Sequence, residues 1–389
     1  MTLAARTTPG IETDPVRVMV VDDSVVARGL MARWIDEDPS LAVVATHRTG
    51  KLAVDHVGES APDVIVLDIE MPDMDGLTAL PLLLSARPGV QIVMASTLTR
   101  RNAEISLKAL SLGAADYVPK PESNSGVSTS AEFRRDLVEK VKALGTKGKI
   151  KARRTSAPKP TLVGGAKVAV APQPVVERPA AASIDLASMR RWSSSAPRIV
   201  AIGSSTGGPQ ALNVVVKALG PVAARVPIVI TQHMPATFTA ILAENLGKTA
   251  GIPAAEGQDG EVLKPGHIYV APGGKHMVIK PAPEGAMIKL DDGPPVNFCK
   301  PAVDIMFDSV AAVYGPAVLA AVLTGMGSDG GKGSVSIADA GGSVLAQDQE
   351  TSVVWGMPQA VVQQKACVAV HPLDVLSATL ARILKGGRP

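Results

Sequence analysis

Ten short runs rich in Val, Ile, Leu and Ala recur along the sequence, with stretches of helical spacing between them, and this alternation constrains the fold more than any other feature. The first five are Val16–Val21, Leu41–Thr46, Asp63–Asp68, Val90–Ser96 and Ala114–Lys120. Near-continuous apolar runs of this length suit strands buried on both faces, and intervening helices supply the crossovers of a parallel sheet. Val25–Asp36 and Arg101–Leu112 carry helical spacing, and Glu132–Gly145 reads as an amphipathic closing helix with Gly145 as its stop. A second set begins at Arg198–Gly203 and continues with Pro227–His233, His267–Pro272, Ala317–Gly327 and Gly342–Gln347. Helices fit Pro209–Leu219, Thr237–Ala250, Ala302–Tyr314 and Gly330–Ala340. The fold expected is α/β throughout. A doubly wound five-stranded parallel domain spans residues 16–135, its closing helix reaching about 145, and a doubly wound, mostly parallel domain spans 197–385.

Residues 146–196 separate the two patterns. Pro, Ala, Lys, Arg and Ser dominate there, so a semi-extended linker is expected, with a short helix near 184–192. Ten Lys/Arg against two Asp/Glu between Thr146 and Pro197 give this stretch +8, which leaves −5 for the remainder of a chain of net charge +3. Its cations are sparse and have no aromatic partners. With aromatics at 3% overall, a nucleic-acid stacking surface is not expected. Residues 1–15 read as a loose tail. Cys299 and Cys367 make neither a disulfide framework nor a Cys-x-x-Cys zinc pattern. No apolar run is long enough to span a bilayer and no leader pattern stands at the start, so a soluble, cytoplasmic protein is expected.

In open parallel sheets, ligands sit beyond the carboxyl ends of the strands. Asp22 and Asp23 follow the first strand, Asp68 ends the third, Ser96 ends the fourth, and Lys120 follows the fifth. Carboxylates crowded in one crevice suit a hard divalent cation, Mg²⁺ above others, and the set as a whole suits phosphoryl transfer to an aspartate. Helix capping is the competing reading for Asp22 or Asp23. The stretches "VMVVDDS", "VIVLDIEMPDMDG", "VMAST" and "DYVPKP" resemble the receiver domain of two-component response regulators. That resemblance implies that Asp68 is the phosphoacceptor and that Asp22, Asp23, Asp68 and the backbone carbonyl of Glu70 hold Mg²⁺. It further implies that Ser96 and Lys120 read the phosphoryl group and that Tyr117 is the switch aromatic.

The second half opens on "AIGSSTGGP", residues 201–209. Neither nucleotide-binding glycine pattern is present, and no lysine follows Gly208, so a nucleophile turn is favoured over a phosphate loop. A serine nucleophile needs a base and an acid that orients it. His233 ends the neighbouring strand on the same edge, and Asp329 lies in the Gly-rich "LTGMGSDGG". Capping competes for Ser204, Ser205 and Asp329, and a structural role for His233. His267 and His276 read as structural; Asp259, Asp304 and Asp308 are rival acids, with Asp304 placed to cap its helix.

Together "AIGSSTGGP", "ITQHMP", "YVAPGGKHM", "KPAVDIMF" and "LTGMGSDGG" resemble the catalytic domain of the chemotaxis protein-glutamate methylesterases, the CheB family, over about 197–384 and with the same domain order. The resemblance implies Ser205 as nucleophile, His233 as general base and then acid, Asp329 as the orienting acid, the Met326 N–H as an oxyanion donor and Thr206 beside it. It implies hydrolysis of glutamate methyl esters on chemoreceptors and deamidation of receptor glutamines. A chemotaxis histidine kinase is then the phosphodonor, Mg²⁺ is needed only at the receiver, and a monomer associated with receptor arrays is expected. An unphosphorylated receiver covering the Ser205 crevice is the expected regulation. Two departures stand out. Ser204 replaces the family's usual Ala, leaving adjacent hydroxyls that only register separates, and Cys299-Lys300-Pro301-Ala302 replaces His-Arg-Pro-Ser. A signalling adaptor with an idle serine site and a DNA-binding response regulator are the rival classes; the second lacks a helix-turn-helix pattern.

Overall fold

The computed structural model describes residues 14–120, 127–155, 189–220 and 222–388, with the side chains of 127–130 and 147–155 outside that description. The chain forms two compact units, Met1–Lys149 and Ile150–Pro389.

The first unit carries strands β1 (Val16–Val21), β2 (Leu41–His47), β3 (Val64–Asp68), β4 (Gln91–Thr97) and β5 (Asp116–Lys120). They form one sheet in the order β2-β1-β3-β4-β5, every neighbouring pair parallel. All five residues of β3 are buried, as expected of a strand covered on both faces. The crossovers are α1 (Val25–Asp36), α2 (Gly50–Ser60), α3 (Gly76–Ala86) and α4 (Arg100–Ser111). Ser24, Thr49, Asp75 and Thr99 cap them, each side chain accepting the N–H three residues on. Capping of α1 therefore falls to Ser24, which leaves the carboxylates of Asp22 and Asp23 for other work.

Helix α5 (Val127–Thr155) presents Phe133, Leu137, Val141 and Leu144 as a buried stripe. Gly145 does not stop it; the helix continues to Thr155, inside the region read as linker. A Cβ at position 145 would collide with the Val16 side chain, so glycine is there for close packing and not for a left-handed cap. Of the remaining linker, 156–188 lie outside the described residues. Of the short helix expected near 184–192, residues 184–188 lie outside the described residues and Met189–Trp192 are not helical. They are already tied to the second unit: the Arg190 N–H donates to the Cys367 carbonyl, and its guanidinium pairs with Asp339 at 2.8 Å.

The second unit holds β6 (Ile199–Ser204), α6 (Gly208–Leu219), β7 (Ile228–Gln232), α7 (Ala236–Ala250), β8 (Ala254–Glu256), β9 (Ile268–Val270), β10 (His276–Ala282) and β11 (Gly285–Asp291). It continues with α8 (Val303–Tyr314), β12 (Val318–Val322), α9 (Gly331–Asp339), β13 (Ser343–Gln347), α10 (Gly356–Gln363), β14 (Ala369–His371) and α11 (Leu373–Leu384). Seven strands form a parallel sheet in the order β14-β13-β12-β6-β7-β9-β8. β10 and β11 form a separate antiparallel hairpin. The path runs outward from β6 through β7 on one side and later through β12 on the other, so direction reverses beside β6, where such folds place their ligand crevice. β6, β7, β12 and β13 are buried at every residue. The strand expected at Ala317–Gly327 ends at Val322, and its glycine-rich remainder is loop apart from an isolated bridge between Gly325 and Trp355.

Candidate functional site

The first unit gathers carboxylates at the carboxyl ends of β1 and β3. Asp22, Asp23 and Asp68 each place an oxygen within 4.8 Å of the others. Asp22 and Asp68 are buried; Asp23 is exposed. Lys120 Nζ, at the end of β5, lies 2.7 Å from Asp22 Oδ2 and 2.7 Å from Asp68 Oδ1. Asp68 Oδ1 also accepts the Ile69 N–H, and Asp22 Oδ1 accepts that of Ser24. Asp68 Oδ2 has no hydrogen bond among the described residues. Burial pushes the Asp68 carboxyl up to about 6, against the pull of Lys120 and with help from Asp22. Lys120 is held above the ordinary lysine value, because Asp68 and Asp22 outweigh its burial. Ser96 is buried at the end of β4, its hydroxyl turned to the Thr97 carbonyl. Tyr117 is buried with Lys140 Nζ 5.3 Å from its ring centre. The donor set near Asp68 is all oxygen, which fits a hard cation such as Mg²⁺.

In the second unit the register sets the site. Ser204 pairs with Gln232 across β6 and β7, and Gly203 with Val322 across β6 and β12. The residues that follow therefore emerge side by side: Ser205, His233 and the loop beyond Leu323. The His233 N–H donates to the Ser204 carbonyl at 3.1 Å, and the Ser205 N–H to the Thr324 carbonyl at 3.0 Å. The two adjacent serines have opposite surroundings. Ser204 is fully buried and donates its hydroxyl to Gln232 Oε1 at 2.6 Å. Ser205 is half-buried and its hydroxyl makes no hydrogen bond among the described residues. Neither caps α6, whose cap is Gly207 at φ 74° with no side-chain bond. Gln232 closes the turn, its amide nitrogen donating to the Ser205 carbonyl at 2.9 Å.

His233 Nε2 lies 2.8 Å from Asp329 Oδ2, and its Nδ1 lies 3.4 Å from Cys299 Sγ. Both ring nitrogens are thus occupied, and no hydrogen bond joins the imidazole to Ser205, the pair expected from the sequence. Asp329 is 1% exposed and saturated. Oδ2 also accepts the Val303 N–H, and Oδ1 accepts those of Asp304 and the Asn297 amide. It caps α8 from a distant loop, since the cap of its own helix α9 is Gly330. Asp304 does not cap α8 as expected; its Oδ1 accepts the Gly333 N–H at the start of α9. The two loops exchange carboxylates across their helix starts, and Asn297 donates to both acids. Burial depresses the His233 pKa, but the hydrogen bond to Asp329, the Cys299 thiol and the carboxylate charge outweigh it, so the net shift is upward. Burial acts on Asp329 in the opposite sense, and its bonds to His233 and the α8 N–H groups carry it below the usual carboxylate range.

Thr206 is buried with an unpartnered hydroxyl, and its carbonyl accepts from Thr324 Oγ1 at 2.8 Å. Gly325 presses on the turn so closely that a Cβ there would stand 2.9 Å from Ser205 Cβ. The Met326 N–H next to it forms no backbone hydrogen bond among the described residues, which leaves it a donor in reserve. His276 is structural: buried, it accepts the Ala302 N–H at Nδ1 and donates from Nε2 to the Pro294 carbonyl. The His267 ring bonds its own loop, Nδ1 donating to the Pro265 carbonyl at 3.1 Å. Asp259 pairs with Lys289 on the surface, and Asp308 is exposed. Sequence reasoning missed Gln232 and Asn297 and treated Cys299 only as a departure. A glutamine directly before the strand-end histidine was the available signal for the first.

Fold and site together define a two-part chain: a parallel α/β unit with clustered carboxylates and a lysine at its strand ends, then an α/β unit with serine, histidine and aspartate at one strand-end crevice. Residues 18–131 match the response regulator receiver domain model and 200–380 the CheB methylesterase model. A protein-glutamate methylesterase/protein-glutamine glutaminase of Nitrobacter hamburgensis is 52% identical over 373 residues, covering 96% of this chain and 95% of its own length. One from Rhodopseudomonas palustris is 51% identical, covering 98% of this chain and 97% of its own length. The crystal structure of the Thermotoga maritima CheB methylesterase catalytic domain is 40% identical, with a TM-score of 0.47 over 49% of this chain and 100% of its own. The chain belongs to the protein-glutamate methylesterase/protein-glutamine glutaminase family.

Proposed function

We propose that this chain is a phosphorylation-controlled serine esterase that hydrolyses glutamate methyl esters on chemoreceptors and deamidates receptor glutamines. The observation that carries the reading is the His233–Asp329 pair beside a half-exposed Ser205 whose neighbour Ser204 is locked away. Because Nε2 is held by Asp329, Nδ1 is the basic atom, and Ser205 replaces Cys299 against it when substrate binds; catalytic hydrogen bonds often tighten only in the complex. Ser205 Oγ attacks the ester carbonyl as Nδ1 takes its proton. The Met326 N–H, with Thr206 beside it, supports the oxyanion. Collapse expels methanol with the proton from His233, and water then releases the glutamate by the reverse sequence. A glutamine substrate follows the same path with ammonia leaving. Asp329 holds the ring and stabilises the imidazolium.

Methanol release should therefore need neutral Nδ1. With the pKa of His233 raised above the ordinary 6.5, the rate falls as pH drops through that raised value, and the acid limb lies above 6.5. Replacing Cys299 with Ala removes one of the groups that raise it, so the limb should move to lower pH. A pH–rate profile of the two proteins checks both statements; a limb that stays put in Cys299→Ala contradicts the assignment of Nδ1.

In the first unit, Asp68 accepts the phosphoryl group at Oδ2 from a chemotaxis histidine kinase. Asp22, Asp23 and the Glu70 carbonyl would hold Mg²⁺ with it, and the ion would neutralise charge on the transferring group. Lys120 and Ser96 contact the phosphoryl oxygens, and Tyr117 responds to the change. Phosphorylation relieves a receiver-imposed block on the esterase. Adding a small-molecule phosphodonor and Mg²⁺ should raise methanol release by the full chain and leave Asp68→Asn at its unstimulated rate; equal stimulation of both would overturn the assignment. No helix among the described residues is long and apolar enough to cross a membrane. The proposed setting is the cytoplasm, at receptor arrays, as a monomer.

A further inference from the structure

We propose that Cys299 and His233 form a binding site for a thiophilic divalent cation of the zinc class, and that occupancy of this site switches the esterase off. The inference rests on the esterase reading of His233. One atom each from His233, Cys299 and Asp329 lie within 4.8 Å of one another. Cys299 Sγ and His233 Nδ1 are 3.4 Å apart. A tetrahedral ion at about 2.3 Å from sulfur and about 2.0 Å from nitrogen spans a sulfur–nitrogen separation of about 3.5 Å, so the pair is already spaced to bracket one.

The remainder of the arrangement matches how metal-binding imidazoles are held. A ligating histidine gives its other N–H to a carboxylate, which fixes the ring and makes the ligating nitrogen more basic. Here that is Nε2 to Asp329 Oδ2 at 2.8 Å. Asp329 is the outer partner and not a ligand, because both its oxygens are already bonded to Val303, Asp304 and Asn297. Cys299 is half-exposed, so an ion reaches it from solvent. Binding replaces the thiol proton, which leaves to water, and takes the lone pair of Nδ1. Waters complete the coordination. With only two protein ligands the site is reversible. The same lone pair is the one that must accept the Ser205 proton, so metal binding and catalysis exclude each other. The receiver pocket does not compete for such an ion: its donors are all oxygen and suit a harder one.

The test uses the full chain, metal-free, in excess Mg²⁺, with Co²⁺ as an optical probe. One equivalent of Co²⁺ should produce a thiolate-to-metal charge-transfer band, Zn²⁺ should displace it, and methanol release should fall over the same Zn²⁺ range. Cys299→Ala and Cys299→Ser should both lack the band, and their Zn²⁺ inhibition midpoints, each measured against the variant's own metal-free rate, should rise about 10-fold or more. Cys367→Ala, at the buried second cysteine, should keep band and midpoint. A band that persists without Cys299, or methanol release untouched by Zn²⁺ that displaces Co²⁺, overturns the proposal. Absence of methanol release from the metal-free wild type would instead sink the esterase reading, while the band would still report on the site.

Discussion

Replacing Ser205 with Ala should reduce methanol release from methylated chemoreceptor by about 10⁴-fold or more, the scale on which a serine nucleophile contributes. Ser204→Ala should retain release within a few-fold. The contrast follows from what each hydroxyl does. Ser204 Oγ is fully buried and spends its proton on Gln232 Oε1. Its removal leaves that buried acceptor unsatisfied, at a cost of about 1–3 kcal/mol in stability rather than in chemistry. Thermal melts would then separate the two variants in the opposite order to activity, Ser204→Ala falling and Ser205→Ala holding. If Ser204→Ala is the inactive one, the register argument for the nucleophile is wrong.

Asp329→Asn should lower methanol release by about 10³- to 10⁴-fold, the cost of the same change in other serine triads. Three effects act together. The imidazolium formed at His233 loses the carboxylate that stabilises it. An amide that turns its NH₂ toward the ring forces the wrong tautomer. The N–H groups of Val303 and Asp304, now facing a neutral partner, lose a charge-assisted bond at the start of α8. The acid limb of the pH profile should fall together with the rate, because Asp329 is the leading group that raises the His233 pKa. A purely structural role would lower the melting temperature without moving that limb.

Much of the site could be read from the sequence because polar residues at strand ends are a regular consequence of parallel α/β topology. Asp22, Asp68, Lys120, Ser205 and His233 each stand at or just past the end of a buried run, and the sheets bring those ends together. Loop partners were not readable in the same way. Cys299 and Asn297 come from the segment after the β10–β11 hairpin, and no periodicity says where such a segment lands. The hairpin itself had a signal: two short apolar runs, Met277–Ile279 and Ala286–Ile288, on either side of a Pro-Glu-Gly turn. Asp304 was read as the cap of the helix it adjoins, and capping of the adjoining helix was the competing reading for Asp329, yet each serves the other's helix. Capping is a matter of proximity in space, and sequence adjacency stands in for it only where the chain has not crossed over. Gly145 shows the same limit, its missing Cβ being required by Val16 from the far end of the unit.

The most direct measurement is capture of the covalent intermediate. The full chain, activated with phosphodonor, is mixed with excess methylated chemoreceptor and quenched in acid during turnover. Proteolysis and tandem mass spectrometry then read the peptide Ile199–Lys217, which holds both serines. The account predicts a glutamyl ester on Ser205, formed with a methanol burst equal to the enzyme present. An adduct on Ser204 or Cys299, or methanol release with no adduct anywhere, would contradict it.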